Sequence, residues 1–402
     1  MSELFLSNAL VLREHGFERG GALIADGRII EVTRGEREPA GATDCIDLGG
    51  AYLAPGLIDI HIHGSAGVDV MEADQESLVK LSEFLLTQGV TGYFATLVPT
   101  DEGGYRSALG EIASHIKQQH EAERNRDERI GARLLGVHFE GPFVSRARSG
   151  ALNVAHFREY DGDPRAIEIF TGRKTGALLM TLAPEVKGGI ELIRELTGRG
   201  VRAFIGHSEA DPQTLDRAAE AGARHITHFP NALDPLHHRK PGAVGWGLVR
   251  ADVTLDCIAD FHHVHPLMLE LIMRSKTADH VALISDAILP TGLGDGSWRV
   301  WGETIRVRGG RTALANGPAE GTIAGSVITM SQALKNVIAL GVEVDKALRM
   351  ASTVPARAAG VDHEVGSITV GKRADLIVLD EEFNVRMGVL GGAVAFDKLR
   401  EP

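Results

Sequence analysis

Eight short apolar segments in the middle of the chain limit its fold more than any other feature of the sequence. Helical stretches separate most of them, and the segments are LIDIHIH (57–63), GYFATLV (92–98), RLLGVHFE (133–140), ALLMTLAPE (177–185), VRAFIGH (201–207), HITHFPN (225–231), LDCIADFHH (255–263) and VALISDA (281–287). Runs of this kind are typical of strands buried on both faces, and their alternation with helices indicates right-handed βαβ units. Eight units predict an α/β fold, a (β/α)8 TIM-like barrel. An open doubly wound sheet is the alternative, but no GxGxxG turn follows the first segment.

The two ends of the chain have a different pattern. Short apolar runs alternate with turn signals between residues 4 and 48, and residues 366–380 have the pattern of two strands joined at Gly371-Lys372. Since chain termini often lie close together, we expect both ends to pair into one small sheet. Residues 298–315 interrupt the barrel pattern, and we expect a hairpin insertion there that turns at Gly309-Gly310.

The charge balance and the cysteines argue against several classes of protein. The 402 residues include 42 Lys and Arg against 54 Asp and Glu, which gives a net charge of −12. With no basic block, we expect neither nucleic acid nor a membrane as a partner. Cys45 and Cys257 are too far apart to suggest a disulfide framework or a thiolate metal site. The first residues lack a signal-peptide pattern and no apolar run reaches membrane-spanning length, so we expect a cytoplasmic protein.

Polar side chains that can bind a metal ion recur at the ends of six of the eight predicted strands. They are His61, His63, His138, Glu140, His207, His228, His262, His263 and Asp286. One such histidine alone is more often a hydrogen-bonded structural residue. In a barrel, however, these strand ends converge on one rim, where active sites are built. Neutral imidazole and carboxylate are ligands for Zn²⁺ and Fe²⁺. The repeated pattern therefore predicts a hydrolytic metal centre.

Several motifs resemble those of a known family. APGLIDIHIHG (54–64) resembles the first-strand signature of the amidohydrolase superfamily. Six further motifs resemble N-acetylglucosamine-6-phosphate deacetylases and follow in order over nearly the whole chain: GVHFEGPF (136–143), THFPNAL (227–233), PLHHRKPG (235–242), ISDAILPTGL (284–293), GTIAGSVITM (321–330) and MASTVPARAAG (350–360). The resemblance implies a catalytic barrel over residues 55–357, with the insertion near 298–315. It also implies a small β-sandwich domain made by residues 1–54 and 358–402.

The resemblance also implies an activity and a set of residue roles. The activity is removal of the N-acetyl group from N-acetylglucosamine 6-phosphate or a close N-acetylhexosamine 6-phosphate. The resemblance implies one or two divalent ions per subunit. Zn²⁺ is the ion that it favours, and iron, cobalt and manganese are the alternatives. The implied metal ligands are Glu140, His207 and His228 at a principal site, and His61 and His63 at a second site.

The remaining implied roles concern the reaction and the substrate. Asp286 is the implied acid and base, and His263 the implied contact to the acetyl carbonyl. Asn231, the backbone at Ala232, and Arg239 are the implied phosphate contacts. The resemblance further implies a homodimer in which Arg239 reaches into the neighbouring subunit's site. A guanidinium suits this role because its planar fork can bind phosphate with two parallel hydrogen bonds.

Three positions depart from the motifs of the family. Leu152 stands where relatives usually carry a histidine, Phe261 follows Asp260 where relatives have glycine, and Pro230 replaces an aromatic residue. Two alternatives therefore stay open. One is a related amidohydrolase that acts on an unphosphorylated substrate, of the N-acyl-amino-acid deacylase or cyclic amidase type. The other is a non-enzymatic protein on a decayed barrel, against which the retained Asp286 argues.

Overall fold

Eight parallel strands form the centre of the computed structural model, which describes residues 3–35, 44–125, 131–317 and 319–399. Each strand coincides with one of the predicted apolar segments: β6 (Leu57–Ile62), β9 (Val90–Leu97), β10 (Arg133–Glu140), β11 (Ala177–Leu182), β12 (Arg202–Ile205), β13 (His225–Ile226), β14 (Thr254–Ile258) and β15 (Val281–Ile284). They are hydrogen-bonded side by side in chain order, and a parallel bridge between Ile62 and Ala287 brings the first and last strands together. The predicted barrel is confirmed.

Helices cover the outside of this barrel. In the described part of the chain they are α1 (Gln75–Thr87), α2 (Glu102–Asn125), α3 (Gly189–Gly198), α4 (Pro212–Ala221), α5 (Gly242–Val249), α6 (Pro266–Ser275), α7 (Met330–Ala339), α8 (Val344–Ala351) and α9 (Thr353–Ala359). Local sequence explains several of their starts. The Asp74 side chain accepts a hydrogen bond from the N–H of Ser77, and Asp211 does the same for Thr214. None of the helices in the described ranges is long and apolar enough to cross a membrane.

Strands from both ends of the chain form a second, mixed sheet. Its members are β1 (Leu4–Arg13), β2 (Gly16–Ala25), β3 (Arg28–Arg34), β4 (Asp44–Asp47), β5 (Tyr52–Pro55), β19 (Leu376–Leu379), β20 (Val385–Leu390) and β21 (Ala393–Asp397). Leu53 of β5 and Val378 of β19 lie opposite each other and are fully buried in the core of this sheet. The pairing of the two ends is confirmed. The boundaries at residues 54 and 357 stay predictions, and residues 36–43 lie outside the described part.

The prediction of two strands within residues 366–380 is wrong for the first of them. The structure has a turn rather than a strand before Leu376, although Ile368 is buried in the core of the terminal sheet. The N–H of Gly371 donates to the carbonyl of Ile29, whose own N–H donates to the carbonyl of Lys372. The segment therefore docks onto the neighbouring strand β3 by its turn, and this contact replaces a strand ladder.

The insertion after β15 is a three-stranded antiparallel sheet, one strand more than the predicted hairpin. Its strands are β16 (Gly296–Val300), β17 (Glu303–Arg308) and β18 (Arg311–Leu314). The predicted turn at Gly309-Gly310 is present, with both residues at positive φ. A second turn, at Trp301 and Gly302, also has positive φ at both residues, 52° and 80°. A smaller hairpin, β7 (Gly64–Ser65) and β8 (Val68–Asp69), directly follows the first barrel strand.

A buried ion network joins the barrel to the terminal sheet. Arg133, at the start of β10, pairs with Asp375 at 3.0 Å and also with Glu123 of α2. Arg373 contacts both of these carboxylates, and the N–H of Gly391 donates to Asp375 at 2.7 Å. Asp375 is 5% exposed, so its charge depends on these partners rather than on water. The network lies at the beginnings of the barrel strands, away from the rim that carries the metal-binding side chains.

Candidate metal centre and active site

Two groups of three buried side chains converge at the carboxyl ends of the barrel strands. One group is Glu140, His207 and His228, and the other is His61, His63 and Asp286. Within each group the potential ligand atoms all lie within 4.8 Å of one another. The structure therefore brings together every residue that the sequence predicted as a metal ligand, together with the predicted acid and base. The two triads are consistent with a binuclear metal site.

The first triad is the tighter of the two. Oε1 of Glu140 lies 3.0 Å from Nε2 of His207 and 3.0 Å from Nε2 of His228. The two imidazole nitrogens are 3.1 Å apart. In the second triad, Nε2 of His61 and Nε2 of His63 are 3.2 Å apart, and Oδ1 of Asp286 lies 3.3 Å from His63 and 3.5 Å from His61.

Glu140 belongs to the first triad and also contacts the second. Its Oε2 is 3.4 Å from Nε2 of His63, and its Oε1 is 3.7 Å from Nε2 of His61. One carboxylate can therefore offer a different oxygen to each group. This arrangement suits a pair of adjacent cations, because a bridging carboxylate supplies negative charge to both.

Second hydrogen bonds orient two of the histidines for ligation. Nδ1 of His207 donates to the carbonyl of Arg148 at 2.6 Å, and Nδ1 of His63 donates to the carbonyl of Thr96 at 3.1 Å. A carbonyl can only accept, so Nδ1 carries the proton in both rings. Whenever Nε2 is deprotonated, its lone pair faces the cluster and can bind a cation, as in metal sites where a carbonyl fixes the histidine tautomer.

The charges of the cluster require a compensating positive charge. Burial lowers the pKa of His63, but the hydrogen bonds that its ring donates to the carboxylates of Asp286 and Glu140 outweigh this and raise it to about 10. Burial raises the pKa of Glu140, but hydrogen bonds from His207 and His228 hold it well below its usual value. A divalent cation held by the same nitrogen and oxygen atoms would supply this positive charge, and its binding would release any proton from these ligand atoms.

Three of the six residues have a left-handed backbone. The φ angles are 47° at His207, 35° at His228 and 50° at Asp286. These residues lie just after the ends of their strands, not within them as the sequence suggested, because positive φ breaks a strand ladder. Each such conformation costs about 1–2 kcal/mol for a residue with a side chain. Backbone hydrogen bonds compensate: Asp286 donates to His61 at 2.9 Å, and Ser326 donates to Asp286 at 2.7 Å.

Two buried aspartates hold this rim in place, and the sequence analysis missed both. Asp59 accepts hydrogen bonds from the N–H of His61 and from the hydroxyl of Ser285, and burial raises its pKa to about 7. Asp256 accepts from Nε2 of His225 at 2.8 Å and from the N–H of His228. The spacing of two between Asp59 and His61 places both on one strand face, which is the signal that could have identified Asp59.

His263 lies in the loop after β14. Its Nδ1 donates to Oδ2 of Asp260 at 2.7 Å, and Oδ1 of Asp260 accepts from the backbone N–H of His262 and of His263. Burial raises the pKa of Asp260, but its bonds to His263 outweigh this and lower it. Phe261, between them, has φ of 65° and is 36% exposed. Left-handed backbone at this position explains why glycine suits it, and why phenylalanine here is a departure.

The predicted phosphate contacts lie on the loop that follows His228. Nδ2 of Asn231 donates to the carbonyl of His228 at 2.9 Å. Ala232 has φ of 53°, and its N–H donates no hydrogen bond to the described residues. Arg239 is exposed farther along the same loop, and its guanidinium contacts Nε2 of His238 at 2.8 Å. It is not among the residues that form the two triads.

The other two departures from the family motifs also lie near the rim. Leu152 is 8% exposed and packs with Val98 and Val144, and Trp301 and Phe157 pack against this cluster. An apolar contact therefore occupies the position where relatives carry a histidine. Pro230 is half-buried two residues after His228.

Comparisons with known proteins agree with this geometry. A profile of the Amidohydrolase family matches residues 52–395. The N-acetylglucosamine-6-phosphate deacetylase of Vibrio furnissii is 35% identical over 375 residues, which are 93% of this chain and 89% of that protein. The N-acetylgalactosamine-6-phosphate deacetylase of Escherichia coli O157:H7 is 33% identical over 396 residues, 98% of this chain and 100% of that protein.

A solved structure is similar over the same length. It is a mutant N-acetyl-D-glucosamine-6-phosphate deacetylase from Mycobacterium smegmatis in complex with N-acetyl-D-glucosamine-6-phosphate. The sequences are 29% identical, the TM-score is 0.85, and the match covers 98% of this chain and 100% of that chain.

Proposed function

The chain belongs to the amidohydrolase family, and we propose that it is a metal-dependent deacetylase of N-acetylhexosamine 6-phosphates. It hydrolyses the acetamide to acetate and the free amino sugar phosphate. This proposal depends mainly on one observation. Glu140 of the first buried triad also contacts the second triad, which contains Asp286. A binding protein has no need to concentrate these groups, three of them on strained backbone, at one barrel rim.

Glu140, His207 and His228 would hold the essential ion. His61 and His63, with Glu140 or Asp286, would hold a second and weaker one. Zn²⁺ fits this nitrogen and oxygen donor set, and iron, cobalt or manganese are the alternatives. When bound, such an ion lowers the pKa of water to about 7 and polarises an amide carbonyl.

Asp286 performs both proton transfers. Its carboxylate accepts a proton from the attacking water and then donates it to the departing nitrogen. An amine is a poor leaving group unless it is protonated, so the second transfer is as necessary as the first. The contacts from Oδ1 of Asp286 to His61 and His63 fix the carboxylate at the rim.

His263 stabilises the negative charge that develops on the acetyl oxygen. Because Nδ1 donates to Asp260, Nε2 can donate to that oxygen only when both ring nitrogens carry a proton. The carboxylate of Asp260 is itself held in place by the backbone N–H groups of His262 and His263. Asp260 also fixes the ring orientation, so the donor is in place before the charge develops.

The phosphate binds at the loop after His228. The free N–H of Ala232 and the side chain of Asn231 supply neutral donors. Arg239 supplies the cation that a protein of net charge −12 needs for an anionic ligand. The homodimer, in which Arg239 reaches the neighbour's site, rests on the resemblance to the family, and it requires an exposed Arg239, as is the case here. The cytoplasmic location stays a prediction from sequence.

The test is a panel of substrates scored by released acetate. We expect N-acetylglucosamine 6-phosphate or N-acetylgalactosamine 6-phosphate to exceed the matching unphosphorylated sugar by about 10- to 150-fold in kcat/KM, the value of one charge-assisted contact. Both hexosamines belong in the panel because Leu152 stands where relatives of the family usually carry a histidine. Equal kcat/KM with and without phosphate, or a preference for an N-acyl amino acid, would exclude this proposal in favour of another amidohydrolase activity.

A further inference from the structure

Trp301 contacts the metal centre from the inserted sheet, and the mechanism above gives it no task. It lies in the turn between β16 and β17, far along the chain from the first barrel strand. Its indole packs edge-on against the ring of His63, with the ring centres 4.9 Å apart and the planes at 76°. This geometry is favourable for a pair of aromatic rings.

The conformation of Trp301 is costly and therefore informative. Both residues of its two-residue turn have positive φ, where asparagine, aspartate or glycine is usually found. A bulky side chain at 52° costs about 1–2 kcal/mol relative to glycine. Such strain persists when the surrounding structure demands that side chain at that place, and it clusters at functional sites.

The surroundings of the indole show what holds it there. Trp301 packs against Val98, Val144 and Leu152, which belong to the loops after β9 and β10. It also packs against the core of the inserted sheet, which includes Ile288 and Ile305. The indole is thus packed between the inserted sheet and the loops at the rim of the barrel, on the side of the metal centre where His63 lies.

We propose that Trp301 is a positioning residue for His63 and thereby for the second metal position. This inference rests on the proposed function, because only the proposed function makes His61 and His63 ligands of a second metal ion. The carbonyl of Thr96 fixes one edge of the His63 ring, and the indole restricts the ring from another side. Without the indole, His63 can turn away and water can enter between the insertion and the rim. Loss of a group that orients a ligand typically weakens metal binding by about 10- to 100-fold.

The test compares the affinities of the two ions in protein stripped by a chelator, with Zn²⁺ as the probe and no substrate present. In Trp301→Ala we expect the weaker affinity to fall by about 10- to 100-fold and the tighter one to change little. Trp301→Phe should bind the weaker ion with an affinity between those of the unmodified protein and Trp301→Ala, because a smaller ring can still contact His63. Trp298→Ala is the matched control, since Trp298 is a half-buried tryptophan of the same sheet outside the cluster around Leu152.

A second measurement applies if Trp301→Ala does not fold. Trp246→Phe combined with Trp298→Phe leaves Trp301 as the sole tryptophan of the three in the chain. Its fluorescence should fall further when Co²⁺ is added beyond the first equivalent, and His61→Ala should abolish that further loss. An unchanged weaker affinity in Trp301→Ala, an equal loss in Trp298→Ala, or no further quenching would overturn the proposal. Failure of the deacetylase assay alone would instead contradict the proposed function.

Discussion

At the scale of single residues, the most specific chemical task in the proposed mechanism is the proton transfer assigned to Asp286. Its carboxylate touches both histidines of the second triad, so replacement by asparagine preserves the shape of the site. An amide cannot accept the proton of water. We expect Asp286→Asn to keep its fold and the tighter metal ion but to lose about 10²- to 10⁴-fold in kcat. The measurement is acetate release at saturating substrate in protein with confirmed metal content, and a near-normal kcat would contradict the role.

Phe261 offers a test of backbone strain next to His263. Its φ of 65° favours glycine, and its ring is partly exposed, so little packing is lost on truncation. We expect Phe261→Gly to raise the free energy of unfolding by about 0.5–1 kcal/mol, since relief of about 1–2 kcal/mol exceeds the entropy cost of glycine. Thermal unfolding of the two proteins measures the difference. Phe261→Ala is the control, and a gain as large as that of glycine would show that strain is not the cause.

At the scale of helices and strands, the apolar segments located the barrel correctly, because a strand buried on both faces needs a continuous apolar run. The segments did not reveal where the strands end. His207, His228 and Asp286 lie past those ends in left-handed conformations, which His and Asp adopt more often than most residues but too rarely for the sequence to predict. The sequence also did not reveal contacts between distant parts of the chain. Two examples are the contact of Trp301 with His63 and the hydrogen bond of Asp256 to His228, which form only when the chain has folded.

The ion network between barrel and terminal sheet gives a prediction at the same scale. Asp375→Asn leaves Arg133 buried with less compensating charge. We expect a loss of about 3–5 kcal/mol in the free energy of unfolding, as when one partner of a buried pair is removed. Chemical denaturation measures it. Glu270→Gln is the control, because its partner Arg274 is exposed on the same helix and such pairs contribute about 0.3–0.5 kcal/mol. An equal loss of unfolding free energy in both variants would show that the buried network stabilises the fold no more than an exposed ion pair does.

At the scale of the whole molecule, the proposed dimer can be tested by complementation. In the proposed mechanism, Arg239→Ala subunits lack the phosphate contact, and Asp286→Asn subunits lack the proton acceptor. If Arg239 reaches across the interface, a mixed dimer keeps one site with both groups intact. We expect the mixture, after subunit exchange, to release acetate faster than either variant alone. If exchange is verified and the rate stays at the sum of the two variants, Arg239 acts within its own subunit or not at all.

The central claim is that a cation at the triad of Glu140, His207 and His228 is essential for deacetylase activity, with a second and weaker cation beside it. The most direct test is acetate release from N-acetylglucosamine 6-phosphate before chelation, after complete removal of metal, and after addition of Zn²⁺, Fe²⁺, Co²⁺ or Mn²⁺. We predict that removal abolishes release, that one equivalent of a suitable ion restores most of it, and that Glu140→Ala cannot be restored. Undiminished release by verified metal-free protein would contradict the account.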